Sequence, residues 1–316
     1  MDKSIPVFTC LLLPVKDSAL LKNILPLVEL ISSSMAGELK KVDLLHVVGG
    51  SFLSTHLNNI DFRAGHVLSS DVMRRLRDKH YQEKVDPLLA KIQQLLQKSG
   101  VVLKAKVRVE DGDPVKKISA ICESEGYTTL IMSRRKGEEE GVFFGTVLNG
   151  VIGRHIRAGF YIVGEEGFTG GISPVARIMI GIDGSSTCLR AVEEAGVLLA
   201  RNTEAIEEVS LVNVMDPSCL QEKKGLDCQL MIENGYDAML EAENILVRDG
   251  VEKSKIVATV LFGKPGEMLH KHAQACAATM CYVGRRNRSK LAEIVLGSVS
   301  SDFIHRCKDR TVVLVS

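Results

Sequence analysis

Residues 281–300 carry side chains at spacings that suit holding a phosphate. An apolar run over 280–283 ends at Gly284. Arg285, Arg286, Arg288 and Lys290 follow with no acid among them, and Gly297-Ser298 then opens a helical pattern. A glycine leaving a strand lets a ligand approach the backbone, and the cations attract the anion. The first N–H groups of a helix supply donors at its positive end. A second chemical feature is Asp183-Gly184-Ser185, which ends another apolar run. Its carboxylate could cap the helix that follows. Other chemistry finds little support. His270 and His272 lie two apart on a helical pattern and so face different ways, which does not make a metal site. The eight cysteines include no Cys-x-x-Cys and no zinc spacing, and no nucleophile stands beside a base. No catalytic residue is assigned.

The elements that must position these residues can be read from the rest of the chain. Its 316 residues suit two domains, and 45% hydrophobic with 25% charged residues is the balance of a globular protein. A net charge of +1 gives no field that would draw nucleic acid or an anionic membrane. No apolar run approaches the roughly 20 residues of a membrane-spanning helix. The run 7–13, stopped by Pro14, reads as a first strand rather than a signal peptide. Reduced cysteines in a cytoplasm are the simplest account of the thiol content.

Strand and helix patterns alternate. In the first half strands are expected at 7–13, 42–48, 101–109, 129–132 and 160–163, with helices at 19–37, 71–98, 114–124 and 145–155. In the second half strands are expected at 177–182, 208–214, 255–262, 279–283 and 311–315. Its helices are expected from 186 through 200 and at 230–249, 265–277 and 297–307. Residues 164–174 hold four glycines, a serine and a proline and read as a linker. The halves align. Gly112-Asp113-Pro114 matches Gly263-Lys264-Pro265 at an offset of 151, and Ser133 matches Gly284 at the same offset. His46-Val47 matches Asn213-Val214, and Lys16 matches Asp183, at 167. The first half therefore holds 16 extra residues, placed most simply at 49–70. This is a duplication.

Five strands alternating with four helices imply a doubly wound α/β sheet in each half, parallel and ordered 3-2-1-4-5, with helices on both faces. Ligands bind such sheets beyond the strand carboxyl ends, where the order reverses. Asp183 ends the first strand of its half and Gly284 the fourth, so both would flank that crevice.

With these residues in place, the second half resembles a universal stress protein domain of the ATP-binding kind. That signature is Gly-x-x-Gly, nine residues, then Gly-(Ser/Thr). Here it reads Gly284-Arg285-Arg286-Asn287, nine residues, then Gly297-Ser298-Val299-Ser300. The resemblance implies that Ile182, Asp183 and Val214 contact the adenine and ribose end. It implies that Gly284, Arg286 and Asn287 line the loop, and that Gly297, Ser298, Val299 and Ser300 hold the triphosphate of ATP, with or without Mg. Asn287 departs from the pattern by replacing its second glycine. Asn is the non-glycine residue that best tolerates positive φ, but its side chain can crowd a nucleotide.

The first half departs further. Lys16 replaces the aspartate, Ser133 and Lys136 replace the glycines, and Glu138-Glu139-Glu140 would repel a polyphosphate. The expectation is a tandem of a degenerate domain at 1–165, a linker at 166–174 and an ATP-binding domain at 175–316. The halves would pair through their fifth strands as an internal pseudo-dimer, with further homo-oligomerisation left open, and serve a stress-response or signalling role. Two rival readings follow from the same residues. One is a scaffold that binds no nucleotide, which Asn287 favours. The other is slow ATP hydrolysis, for which the loop offers no acid before Glu293 and no obvious base.

Overall fold

The computed structural model of the chain describes residues 7–49, 70–99, 105–134, 146–154, 156–168, 170–215, 225–285 and 296–316. The first half supplies β1 (Cys10–Pro14), β2 (Lys41–Val48), β3 (Ala105–Asp111), β4 (Thr129–Ser133) and β5 (Gly159–Val163). The second supplies β6 (Arg177–Gly181), β7 (Glu208–Met215), β8 (Ile256–Phe262), β9 (Met280–Gly284) and β10 (Thr311–Val315). Each half is parallel and ordered 3-2-1-4-5. Paired through β5 and β10, the two form one sheet of ten strands, β3-β2-β1-β4-β5-β10-β9-β6-β7-β8. The join is antiparallel, with Val312 opposite Ile162, Val313 opposite Tyr161 and Leu314 opposite Phe160.

Helices cover both faces. They are α1 (Ser18–Ser34), α2 (Ser70–His80), α3 (Asp86–Ser99), α4 (Pro114–Ser124), α5 (Thr146–Ile152), α6 (Ser186–Leu199), α7 (Gly225–Arg248), α8 (Pro265–Ala275) and α9 (Ser298–Arg306). Successive strand residues point to opposite sides, so each strand feeds two cores. Tyr161, Val163, Val313 and Val315 join the core under α1, α3, α6 and α7. Phe160, Ile162, Val312 and Leu314 join the core under α4, α5, α8 and α9. That is why β5 and β10 are unbroken apolar runs. A strand buried on both faces has no polar alternate positions.

Local chemistry sets several boundaries. Asp17 accepts hydrogen bonds from the N–H groups of Ala19 and Leu20 to start α1. Asp113 accepts from Lys116 N–H ahead of Pro114, which starts α4. β1 begins at Cys10, later than the apolar run suggests. Phe8 takes a left-handed backbone (φ 55°) and turns its ring fully into the core. The helix expected over 71–98 runs without a break from Ser70 to Ser99, and α2 and α3 are its two parts on either side of a wide π-type turn at Tyr81–Val85. Such a turn shifts the phase of the buried face between the polar α2 and the apolar stripe of α3. The extra segment of the first half and its acidic loop lie outside the described residues.

Candidate functional site

In the second half the strand order reverses between β6 and β9. Ile178 lies opposite Met280 and Ile180 opposite Tyr282, while β7 continues one way and β10 the other. Ile182 and Asp183 leave the carboxyl end of β6, and Gly284 ends β9. Both sequence-derived features therefore reach the same edge of adjacent strands.

Ile182 is buried, and its N–H donates to Val212 O at 2.8 Å. Its carbonyl accepts from Asn213 Nδ2 at 2.8 Å. Val214, one residue further on β7, is partly buried against the α8–α9 core. The exposed Asp183 does not itself cap α6. Its Oδ1 accepts from Ser185 N–H at 3.0 Å and from Ser185 Oγ at 2.6 Å. Ser185 is the cap, its Oγ accepting from Cys188 N–H at 3.2 Å. Asp183 thus orients the cap from the exposed side of the turn.

Gly284 is glycine for a reason the sequence does not show. A Cβ there would lie 2.9 Å from Thr187 Oγ1 and 3.0 Å from Cys188 N, so the missing side chain lets the first turn of α6 close on β9. Further along the chain, α9 follows Gly297, which offers no capping side chain of its own. Ser298 and Val299 are exposed. Ser300 is buried, and its Oγ donates to Gly284 O at 2.9 Å, fastening the start of α9 to the end of β9. Its hydroxyl serves the fold, which leaves its backbone N–H among those at the helix start. Arg286 and Asn287 lie outside the described residues.

Arg285, read from sequence as part of the cationic loop, leaves it. The side chain is 1% exposed, and Nη2 donates to Ile152 O at 2.5 Å and to Arg154 O at 2.6 Å, at the end of α5 in the other half. Burial pulls its pKa down to about 10, so it stays charged at neutral pH. It caps a helix C-terminus, where a cation is favoured.

The same place in the first half is built differently. Lys16 is exposed after β1. At the end of β4, Asn23 Nδ2 donates to Ser133 Oγ at 3.3 Å and to Glu165 O at 3.2 Å. The linker therefore packs against α1 beside the position equivalent to Gly284.

Asn213 is the residue that sequence reasoning passed over. It is buried, holds the Ile182 carbonyl, and stands against Gly235 of α7, where a Cβ would approach its Oδ1 to 3.2 Å. Its repeat partner His46 was the available signal. His46 Nδ1 donates to Val15 O at 2.9 Å, the same bond made by a different side chain.

Comparison with known proteins follows the same division. The model of the universal stress protein family matches residues 51–155 and 174–315. Among solved structures, the chain is similar to a universal stress protein from Archaeoglobus fulgidus DSM 4304, with a TM-score of 0.66 at 19% identity over 98% of each chain. It is also similar to a functionally unknown protein, PA1789, from Pseudomonas aeruginosa PAO1, with a TM-score of 0.59 at 13% identity over 98% of this chain and 92% of that one. At these identities the likeness is one of fold. A search of curated protein sequences finds no match.

Proposed function

The chain belongs to the universal stress protein family, and we propose that its second half binds ATP or another adenine nucleotide as a structural or signalling ligand. The observation that carries this reading is the convergence of three features at one strand-order reversal. They are the exposed Asp183 after β6, Gly284 ending β9, and the α9 start at Gly297 tied to Gly284 through Ser300. In this reading Ile182 and Val214 meet the base and Asp183 meets the ribose. The N–H groups of Ser298, Val299 and Ser300 take the phosphates, and Arg286 and Asn287 close the loop. Magnesium, if bound, rides with the phosphates, and no protein ligand for it is assigned.

The degenerate domain, 1–165, binds no nucleotide in this reading. It serves as the internal partner of 175–316 through β5 and β10, with 166–174 as linker. The protein acts in a cytoplasm in a stress response. Among the described residues no helix is long and apolar enough to cross a membrane. Isothermal titration of the whole chain with MgATP tests the proposal. One site per chain is the expected result, weakened by Ser298→Pro or Asp183→Ala. No heat at millimolar nucleotide sinks it.

A second reading, a scaffold without nucleotide, is favoured by Asn287 alone. If it holds, the native chain gives no heat and Asn287→Gly restores binding.

A further inference from the structure

The two ends of the ten-stranded sheet are equivalent by duplication and opposite in chemistry. Strand pairing fixes the equivalence. Val42 lies opposite Ala105 and Val48 opposite Asp111 in the first half, while Val209 lies opposite Ile256 and Met215 opposite Phe262 in the second. Lys106, Arg108, Glu110 and Asp111 of β3 therefore correspond to Val257, Thr259, Leu261 and Phe262 of β8.

The β3 edge is blunted by charge, and Arg108, Glu110 and Asp111 are engaged in ion pairs. Arg108 pairs with Glu125 at 2.6 Å, Lys117 with Glu110 at 3.0 Å and Arg77 of α2 with Asp111 at 2.5 Å. Charged side chains of this kind are what keep an open sheet edge from pairing with another chain. β8 has none between Ile256 and Phe262. Among the described residues no strand pairs with its outer side. Val257 is 44% exposed and Phe262 57% exposed. On α7, which packs over β7, further apolar side chains are exposed. Tyr236, Leu240 and Val247 are exposed at helical spacing on α7, and Glu243 between them pairs with Lys253 just ahead of β8 at 2.5 Å.

We infer that β8 is an association edge and that its partner is β8 of a second copy of this chain, paired antiparallel about Thr259. The strand is symmetric in polarity about that residue. Antiparallel pairing sets Ile256 against Phe262, Val257 against Leu261, Ala258 against Val260 and Thr259 against itself, each a favourable cross-strand pair. The flanks fit too, since Lys255 meets Gly263 and Lys264 meets Ser254, with no like charges opposed. Pairing β3 with itself in this register would set Arg108 against Arg108 and compete with the ion pairs that already hold Arg108 and Glu110. Pairing β3 with β8 would set ion-paired charges against apolar residues and would propagate without closing. The β8–β8 join is closed and opposes no like charges.

Sedimentation velocity of the whole chain over micromolar concentrations tests this. A dimer is expected. Thr259→Arg, which recreates the Arg108 clash, and Leu240→Glu on α7 are each expected to weaken it by roughly tenfold or more. Leu240 is exposed and Thr259 partly so, and an unchanged circular dichroism melt confirms that the variants fold. Amide exchange of β8 should slow as concentration rises. A native chain that stays monomeric overturns the inference. So does a dimer that both variants leave intact, which would place the contact elsewhere.

Discussion

Arg134 and Arg285 hold equivalent positions after β4 and β9, and each reaches across the join to the end of a helix in the opposite half. Arg134 Nη2 donates to Ile304 O of α9 at 2.9 Å, and Arg285 Nη2 donates to Ile152 O of α5 at 2.5 Å. Their own backbone N–H groups donate to Val163 O and Val315 O, at 2.9 and 2.7 Å. Each arginine thus ties the end of a fourth strand, a fifth strand and a helix of the other half. Both guanidinium groups are buried, and burial lowers both pKa values to about 10.

Removing Arg285 takes the donor from the buried Ile152 carbonyl and from the partly buried Arg154 carbonyl at the helix end. Arg285→Ala is therefore expected to destabilise the protein by about 2–4 kcal/mol, read as a lower urea midpoint. The same variant should leave MgATP affinity within about twofold of native, because the side chain points into the other half; a twofold change is only ~0.4 kcal/mol. A large loss of affinity with unchanged stability would return Arg285 to the phosphate loop.

Glu194 of α6 is buried at the join, where its Oε1 accepts from Tyr161 OH of the first half at 2.7 Å. The Tyr282 hydroxyl stands 3.5 Å from that of Tyr161. Desolvation raises the Glu194 pKa from 4.5 to about 7. The sign follows from proton counts. Below about 4.5 both folded and unfolded states hold the proton. Between about 4.5 and 7 the unfolded chain releases it first, so rising pH favours unfolding, by about 3 kcal/mol across the window. Above about 7 both states are ionised and the loss is complete. Urea midpoints should fall from pH 5 to pH 8, and Glu194→Gln should flatten that slope. The Glu125 carboxylate, held down to about 2 by Arg108, acts in the opposite direction and below this window. An unchanged slope in the Gln variant would assign the dependence to other groups.

How far these features can be read from sequence depends on the range of the interactions behind them. α4 and β10 match the spans read from the chain, because Asp113-Pro114 and a run of β-branched residues are local signals. The duplication also exposes the strand order, since two copies repeat one alternating pattern. The role of Arg285 was not legible. Its neighbours Arg286 and Arg288 make a basic loop the natural reading, while its partners lie more than 130 residues away. Phe8 misleads for a related reason. It continues an apolar run, yet it leaves the strand to pack 5.8 Å from the Tyr161 ring. At the site, Asp183 and Gly284 stood out by type and spacing. Asn213 did not, because an isolated Asn on a strand has no pattern until its hydrogen bond is seen.

Gly284→Ala tests the close approach of β9 to α6. The added methyl would meet Thr187 Oγ1 and the Cys188 backbone at 2.9 and 3.0 Å, and the backbone contact cannot rotate away. A loss of about 1–3 kcal/mol is expected from the resulting overpacking. Because Ser300 hangs from the Gly284 carbonyl, the start of α9 should shift with it, and MgATP affinity should fall alongside stability. Calorimetry that shows lower stability with native affinity would separate the glycine from the nucleotide site.

Asn213 offers the sharpest test of how the β6 end is held. Its Nδ2 is the side-chain donor to the Ile182 carbonyl, one residue before Asp183. Asn213→Ala leaves that carbonyl without this bond, at a cost of about 1–2 kcal/mol. It also frees the turn that presents Asp183, so MgATP affinity should drop roughly tenfold, equivalent to ~1.4 kcal/mol. Asn213→His copies the first half, where His46 makes the same bond to Val15 O. That larger ring must fit beside Gly235, so the variant should recover part of the affinity while remaining less stable than native. If Ala and His variants bind MgATP as the native chain does, the hydrogen bond positions the strand end without reaching the nucleotide.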